Sequence, residues 1–396
     1  MALTADIDEP PHDAAASTES GSGLGFGLEP ELEDVRKAWI TLITNEAYVA
    51  GLLTLHRTLV SLSSYPLIAM TTSSLSSASQ DLITSASIPI IQVDHLTPSQ
   101  GQHGGFDPSF SRFDDAWTKL QVFGLEQFET LILIDSDMIF LKEMDELFEY
   151  ELPARDWVGA APACVCNPLK LAHYPKDWIP ANCAYRHQTP YTALSEPPIP
   201  STAPDSPRTS HLLNSGLVIL HPSKTTLQQI VHHLNTSPTI AKVQFADQDV
   251  MAEVFRARWK PLPWWCNALK TLRAVHQDVW RDEEVRLIHY ILDKPWHRRP
   301  AHLAPHISIT DLPPTPITAS NGPLGRHFGD ESDKPIRRPL PAGLLDAVRS
   351  TDKSQESLTD YQDVHAWWWI VYEDLLDDYK AVGDERWKLI DRHVKR

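Results

Sequence analysis

The residue types best suited to chemistry in this sequence are two acidic residues one position apart, in Asp135-Ser136-Asp137. The residues just before them, 131–134, are all aliphatic, which predicts a mid-sheet strand buried on both faces. In open α/β sheets, ligands gather beyond the carboxyl ends of the strands, where these side chains would lie. Two carboxylates there can bind one divalent cation, with a diphosphate completing the ligand set. Alone the pattern is weak evidence, because acidic pairs also cap helices or lie solvated in loops.

The segments that would position this acidic pair alternate between short apolar runs and stretches with helical spacing of apolar residues. The alternation predicts an α/β fold with a mixed, mainly parallel sheet and flanking helices. We predict strands at residues 38–44, 67–70, 88–93, 130–134, 157–161, 213–220 and 285–291, and helices at 46–62, 113–128, 224–234 and 248–255.

Composition restricts the classes of partner. The formal net charge is -17, and residues 1–35 carry acidic side chains but no Lys or Arg, which argues against nucleic acid as a partner. The same acidic start lacks the basic patch and apolar run of a secretory signal. Apolar runs are also too short to span a bilayer. We therefore expect no membrane span and a cytoplasmic location.

The sequence contains four cysteines, too few for a disulfide scaffold at this length. Cys164, Cys166 and Cys183, with His173 between them, could in principle bind zinc, but paired C-x-x-C motifs are missing. The sequence therefore favours reduced thiols over a zinc site and leaves the role of this group open.

Five segments in fixed order carry a resemblance to glycosyltransferase family 8, the group that contains glycogenin and galactinol synthase, over roughly residues 39–296. Their joint order is more specific than any one of them. They are Thr44-Asn45-Glu46-Ala47-Tyr48, Trp117-Thr118-Lys119-Leu120, Asp135-Ser136-Asp137, Leu213-Asn214-Ser215-Gly216-Leu217, and Asp247-Gln248 with His289 and Lys294-Pro295-Trp296.

The resemblance implies a GT-A-type fold that binds a UDP-sugar across the strand ends and transfers the sugar with retained configuration. It implies that Asp135, Asp137 and His289 bind the metal, and a nitrogen ligand favours Mn²⁺, with Mg²⁺ as the alternative. Other roles are carried over by position. Leu42, Thr44, Asn45 and Tyr48 would surround the uridine, and Lys119, Ser136, Asn214, Ser215 and Gly216 would contact the phosphates or the sugar.

Asp247, Gln248 and Lys294 are the predicted catalytic residues. The first two would contact the reaction centre, although Asp247 also suits a helix N-cap, and Lys294 would neutralise the diphosphate. For Tyr48 and Lys119 the simpler readings are helix packing and a solvated charge, and a plain turn would explain Asn214 to Gly216. The family often has Gly between the His and the Lys, whereas this chain has residues 290–293 without one. The tyrosine that glycogenin glucosylates is also missing, so self-glucosylation is not expected.

The predicted organisation is a disordered acidic tail (1–35), a catalytic domain (36–300), a Pro-rich linker (301–357) and a C-terminal amphipathic helix (358–396). A Pro- and Ser-rich insertion at 187–211 should be a mobile loop outside the core. The helix should dock on the catalytic domain, since a stripe such as Trp367, Trp368 and Trp369 indicates packing more often than partner binding.

The function expected from the resemblance is transfer of glucose or galactose from a UDP-sugar to an unidentified hydroxyl acceptor. A nucleotide-sugar-binding scaffold without turnover is the alternative from another class. A nucleotidyltransferase is disfavoured because no Gly-rich basic loop follows the first strand. The sequence does not determine the oligomeric state, and a homodimer is one possibility.

Overall fold

The computed structural model describes residues 32, 34–106, 114–303 and 361–396, so nearly all of the predicted tail and linker lies outside the described residues. The strands are β1 (Lys37–Ile43), β2 (Leu67–Thr71), β3 (Ile90–Gln92), β4 (Thr130–Ile134), β5 (Met138–Phe140), β6 (Val158–Pro162), β7 (Leu213–Leu220), β8 (Trp259–Pro261), β9 (Ala268–Leu269) and β10 (Leu287–His289). The α-helices are α1 (Val49–Leu62), α2 (Ser77–Ser85), α3 (Lys224–Thr236), α4 (Ala246–Val254), α5 (Leu272–Val275), α6 (Gln362–Ala381) and α7 (Trp387–Ile390).

A seven-stranded sheet in the order β3-β2-β1-β4-β7-β6-β8 forms the centre of the fold. All its neighbouring pairs are parallel except those of β7, which runs against both β4 and β6. A small sheet, β5-β10-β9, lies beside it. The sheet is therefore mixed and mainly parallel, as predicted.

The reversed strand β7 places its beginning next to the carboxyl end of β4. Ile134 lies opposite Leu217, and the backbone N–H of Asp135 donates to the carbonyl oxygen of Gly216 at 3.0 Å. β4 is fully buried, as its aliphatic sequence predicted. Two segments that are far apart in sequence, 135–137 and 214–216, consequently meet at one edge of the sheet.

The segment before β4 differs from the prediction of an α-helix at residues 113–128. The structure has a 3₁₀-helix at Ala116–Gly124, and 113 itself lies outside the described residues. Trp117, Leu120 and Phe123 are buried at every third position, which matches the three residues per turn of a 3₁₀-helix.

Three further predictions needed correction. The late strand is shorter than 285–291, since β10 spans only Leu287–His289, although the N–H of Tyr290 still donates to the carbonyl oxygen of Asp137 at 2.9 Å in the same register. Asp247 is not an N-cap, since α4 begins at Ala246 with Phe245 as its cap residue. The insertion 187–211 does contribute to the core, where Ala193 is 1% exposed.

The C-terminal helix α6 packs on α1 and on the chain around Pro295. Trp367, Trp368 and Trp369 are all buried, which confirms the packing interpretation of the tryptophan stripe. The indole N–H of Trp369 donates to the carbonyl oxygen of Pro295 at 2.9 Å, and the hydroxyl of Tyr290 donates to that of Val364 at 2.8 Å. The helix therefore supports the chain that follows β10.

Candidate active site

Asp135, Asp137 and His289 come together at the carboxyl edge of β4, as predicted. Each offers one ligand atom, and these atoms lie within 4.8 Å of one another. The Nε2 atom of His289 is 3.4 Å from an oxygen of Asp135 and 3.5 Å from one of Asp137. Asp137 and His289 are buried, and Asp135 is partly open to a cleft. The distances fit two carboxylates and an imidazole gathered around one small divalent cation.

A row of amides determines which nitrogen of His289 carries its proton. The backbone N–H of Gly216 can only donate, and it donates to Oδ1 of Asn214 at 3.0 Å. The same oxygen must therefore accept from Nδ2 of Asn267, at 2.7 Å. The Oδ1 atom of Asn267 then accepts from Nδ1 of His289 at 2.9 Å, so Nδ1 carries a proton and the neutral ring turns the lone pair of Nε2 toward the two carboxylates.

The row continues to the predicted catalytic residues. Nδ2 of Asn214 donates to Oε1 of Gln248 at 2.9 Å, which leaves the amide nitrogen of Gln248 as a donor. Gln248 also lines the cleft. The orientation of the predicted metal-binding histidine is thus connected to that of a predicted reaction-centre residue.

Two glycines permit the close packing of this site. A Cβ atom at Gly216 would lie 2.3 Å from Cε1 of His289, so only Gly fits beneath the imidazole. A Cβ atom at Gly51, on α1, would lie 2.7 Å from the carbonyl oxygen of Ser136 and 2.8 Å from the ring of Trp296. The helix after β1 therefore fixes the position of the metal-binding loop.

Lys119 is not a solvated helix charge. Its Nζ lies 2.6 Å from Asp135 and 3.0 Å from Asp247. Burial opposes its charged form, but the two carboxylates outweigh burial and raise the pKa of Lys119 above its ordinary value. Burial in turn raises the pKa of Asp135, even though Lys119 acts in the opposite direction.

Lys294 forms a second buried ion pair, with Asp137. Its Nζ also donates to the carbonyl oxygen of Tyr290 at 3.0 Å. Burial alone would raise the pKa of Asp137, but Lys294 and His289 outweigh it and hold that pKa well below its usual range. Asp137 therefore stays ionised and able to bind a cation.

The remaining predicted residues line the same cleft, with roles that the protein structure leaves as predictions. The Tyr48 ring packs edge-on against Trp296 at 5.4 Å between centroids, which bears out helix packing without excluding contact with a base. Asn45 caps the turn before α1 by accepting from the N–H of Ala47. The cleft lining includes Leu42, Thr44, Asn45, Tyr48, Lys119, Ser136, Asn214, Ser215, Gly216, Asp247, Gln248 and Lys294.

A comparison with known families places this site in context. The family model "Glycosyl transferase family 8" matches residues 39–299. The chain belongs to glycosyltransferase family 8. Its fold is accordingly of the GT-A type, and the predicted family is confirmed.

Relatives of this family 8 member are distant in sequence. Galactinol synthase 1 of Ajuga reptans is 23% identical over 274 residues, which cover 66% of this chain and 74% of the relative. Uncharacterized protein R707 of Acanthamoeba polyphaga mimivirus is 25% identical over 265 residues, covering 66% and 83%. Among solved structures, the galactosyltransferase LgtC in complex with donor and acceptor sugar analogs is 14% identical, with 66% and 90% covered and a TM-score of 0.44.

The family 8 site departs from its pattern between His289 and Lys294, where the family often has a glycine. Leu292 has a φ of 68°, in the left-handed region that favours glycine. The backbone thus takes the conformation that a glycine would provide, at a cost of roughly 1 kcal/mol for a residue with a Cβ atom. Leu292 also lines the cleft.

A second group of potential metal ligands in this family 8 member contains the cysteines. Cys164, Cys166 and Cys183 come together with His276, and not with His173 as the sequence suggested. The ring of His173 instead packs edge-on against Tyr174, at 4.9 Å between centroids. The order of residues favoured His173 because it lies between the cysteines, whereas His276 comes from the end of α5.

Sequence reasoning also missed Asn267 and Gly51. Asn267 lies in a stretch to which the sequence assigns no role. A single amide there gives no signal of contact with a histidine twenty-two positions later. The glycine at 51 lies inside a predicted helix, where a residue of poor helix propensity is itself a signal of close packing.

Proposed function

We propose that the protein is a retaining glycosyltransferase that moves a hexose from a UDP-sugar to a hydroxyl acceptor, with Mn²⁺ bound by Asp135, Asp137 and His289. The observation that carries this proposal is the convergence of three ligand atoms, two carboxylate oxygens and one imidazole nitrogen, at a cleft. Since Nδ1 of His289 is engaged by Asn267, Nε2 is the ring nitrogen available to a cation, and a cation among the three would offset the repulsion between the two carboxylates.

The metal fits the residues present. Carboxylate oxygens suit Mn²⁺ and Mg²⁺, and the imidazole nitrogen favours Mn²⁺. When bound, the cation would accept phosphate oxygens and offset the charge that develops on the departing UDP. Asn267 would keep the imidazole in the tautomer that binds metal.

Charge balance at the cleft supports an anionic donor as well. Three carboxylates, Asp135, Asp137 and Asp247, face only two ammonium groups, those of Lys119 and Lys294. A divalent cation turns this small negative excess into a positive one, which a diphosphate can then neutralise. Both lysines lie beside the metal ligands, so they can stabilise the diphosphate without a large movement.

The sugar would lie against the amide row. Asn214 and Gln248 line the cleft and are hydrogen-bonded to each other, which fixes the direction of the donor nitrogen of Gln248. Asp247 is oriented by Lys119. We assign these residues to binding of the hexose near its anomeric carbon, with retention of configuration proposed from family membership.

The first test is UDP release by the purified chain with Mn²⁺ and a panel of UDP-sugars. Several relatives are named galactinol synthases, so UDP-galactose with inositol is the first pair to try, followed by UDP-glucose. Asp137→Asn should reduce release at least ~100-fold, because the transition-state charge loses its cation. Asp156→Asn, at an exposed ion pair with Arg258, is the matched control and should match the parent.

Three outcomes decide between the candidate functions. Mn²⁺-dependent release that Asp137→Asn abolishes supports a transferase and identifies the sugar. UDP binding with metal but no turnover of any sugar would favour the scaffold alternative. If UDP fails to bind with metal, both proposals are wrong.

A further inference from the structure

Three sulfur atoms surround a single imidazole nitrogen beside the cleft. Nε2 of His276 lies 3.6 Å from Sγ of Cys164, 3.3 Å from that of Cys166 and 3.4 Å from that of Cys183. The Sγ atoms of Cys164 and Cys183 are 3.9 Å apart. One nitrogen can form at most one good hydrogen bond in its own plane, so three sulfurs at similar distances indicate a shared centre.

The distances match those of tetrahedral zinc. Zn–S bonds of ~2.3 Å and a Zn–N bond of ~2.0–2.1 Å put sulfur about 3.5–3.6 Å from nitrogen and about 3.8 Å from another sulfur. We propose that Cys164, Cys166, Cys183 and His276 bind one structural zinc ion. With four protein ligands the site is closed, so the zinc supplies no catalytic water.

A disulfide explains this group less well. Bonded sulfurs lie ~2.05 Å apart, far closer than the 3.9 Å between Cys164 and Cys183. A disulfide joins only two of the three cysteines, so it would not explain why the third thiol and His276 also lie in the group. All four cysteines have free thiols, and Cys266 lies outside the group although it is buried.

The four ligands come from three separate parts of the chain. Cys164 and Cys166 follow β6, where the N–H of Ala163 still pairs with the carbonyl oxygen of Leu212 at 2.9 Å. Cys183 ends the short turn Pro180–Asn182, and His276 follows α5. Zinc would therefore link the edge of the large sheet to the loop before β7 and to the end of α5.

The loop 167–182, between Cys166 and Cys183, forms a wall of the cleft that includes Asn167, Leu169, Tyr174 and Trp178. Trp178 stacks on Phe245 with centroids 4.8 Å apart, and Phe245 is the residue before α4, which carries Asp247 and Gln248. By holding both ends of this loop, zinc would stabilise the wall of the cleft that packs on the start of α4.

The decisive measurement is the metal content of the full chain, purified without a histidine tag, by mass spectrometry of the elements. We expect about one zinc per chain in the parent, as for a closed site with four ligands. Cys183→Ser and His276→Asn should lose it, while Cys266→Ser, the matched buried control, should keep it. Zinc at the parent level in Cys183→Ser and His276→Asn would overturn the proposal, as would iron in place of zinc.

Cobalt provides a test that needs no variant and so does not depend on variant folding. Protein produced with Co²⁺ should show the strong thiolate-to-cobalt absorption and visible bands of a tetrahedral site. Metal-free parent protein with four reactive thiols after unfolding, and no such spectrum with cobalt, would contradict the assignment.

The zinc assignment is separable from the proposed transferase function, although the role given to the loop rests on it. Asp137→Asn should keep zinc at the parent level, so a failure of the transferase proposal leaves the zinc test intact. Cys183→Ser should lower hexose transfer and keep Mn²⁺-dependent UDP binding, because Trp178 of the loop packs on Phe245, which precedes Asp247 and Gln248 on α4. Equal loss of transfer and UDP binding would refute the role of the loop.

Discussion

The two groups of potential metal ligands in this protein differ in their donor atoms and in how the chain assembles them. The first, Asp135, Asp137 and His289, has two oxygens and one nitrogen at the ends of strands and faces the cleft. The second, the cysteines with His276, has three sulfurs and one nitrogen on loops. An incomplete set of hard ligands suits a cation that must also bind substrate, whereas a complete set of soft ligands suits one that stays in place.

The comparison shows that rigidity is supplied differently at each group. Strands, an amide row and two ion pairs hold the first group before any cation binds. The loops of the second group have no strand of their own between Cys166 and Cys183, so the proposed zinc would itself supply the constraint. Substitutions around the first group should therefore change activity. Loss of zinc from the second group should instead disorder the loop between Cys166 and Cys183.

Gly216→Ala should separate the two groups most strongly. Its Cβ atom would lie 2.3 Å from the ring of His289, so the imidazole must move away from both carboxylates. We expect Mn²⁺-dependent UDP release to fall at least ~100-fold, with zinc content unchanged. Gly104→Ala, where a Cβ atom meets nothing within 4 Å, is the control. Parent-level activity in Gly216→Ala would show that His289 does not bind the metal.

Asn267→Ala tests whether the amide row raises the affinity of the first group for Mn²⁺. Without Asn267 the proton of His289 is no longer held on Nδ1, so Mn²⁺ affinity should fall ~10- to 100-fold. A titration of UDP release with Mn²⁺ should show a shifted midpoint and recovery at high metal. Asn235→Ala, at an exposed contact with Ser99, should not shift the midpoint. An unshifted midpoint in Asn267→Ala would show that the amide row does not affect metal binding by His289.

A smaller effect is expected on the pH dependence of stability, through His365 on α6. The ring of His365 accepts a hydrogen bond from Nζ of buried Lys270 at 2.8 Å. Burial, and to a lesser extent the positive charge of Lys270, lowers the pKa of His365 from 6.5 to about 3. Between these values the unfolded chain binds the extra proton, so stability is present above pH 6.5 and lost as the pH falls. The charged groups that face His365 are Lys270, Asp293, Lys294 and His297.

For His365 alone, the free energy of unfolding should decrease by about 1 kcal/mol from pH 7 to pH 5.5. Urea unfolding followed by tryptophan fluorescence measures this, and His365→Gln should lack that part of the decrease. At each pH, zinc content should be the same in the parent and in His365→Gln if the second group is independent of α6. An identical pH dependence in parent and variant would show that His365 is not held neutral by its surroundings.

The sequence made the acidic pair of the first group predictable because its features are local, whereas His289 was assigned only through the family resemblance. The aliphatic run 131–134, the acidic pair after it and the order of later motifs indicate the strand, its end and the family. Asn267 and His276 could not be found that way, since each acts through a partner from another part of the chain. Their contacts depend on how β9 and α5 pack, which no short-range pattern encodes.

The helix boundaries show the same division between local and tertiary causes. Apolar periodicity predicts an α-helix over 113–128, whereas the three-residue spacing within it belongs to the 3₁₀-helix at Ala116–Gly124. Leu292 is the opposite case, because tertiary structure imposes a left-handed backbone that its side chain disfavours.

The reversed direction of β7 also affects how this architecture can diversify. At the carboxyl edge of the sheet, each parallel strand contributes the residues that follow it. Because β7 runs in the opposite direction, it contributes the residues that precede it. Any lengthening of the chain between β6 and β7 therefore enters next to the cleft and leaves the strand register unchanged. In the proposed transferase, a change of this one loop would alter the acceptor side of the cleft without altering Asp135, Asp137 or His289.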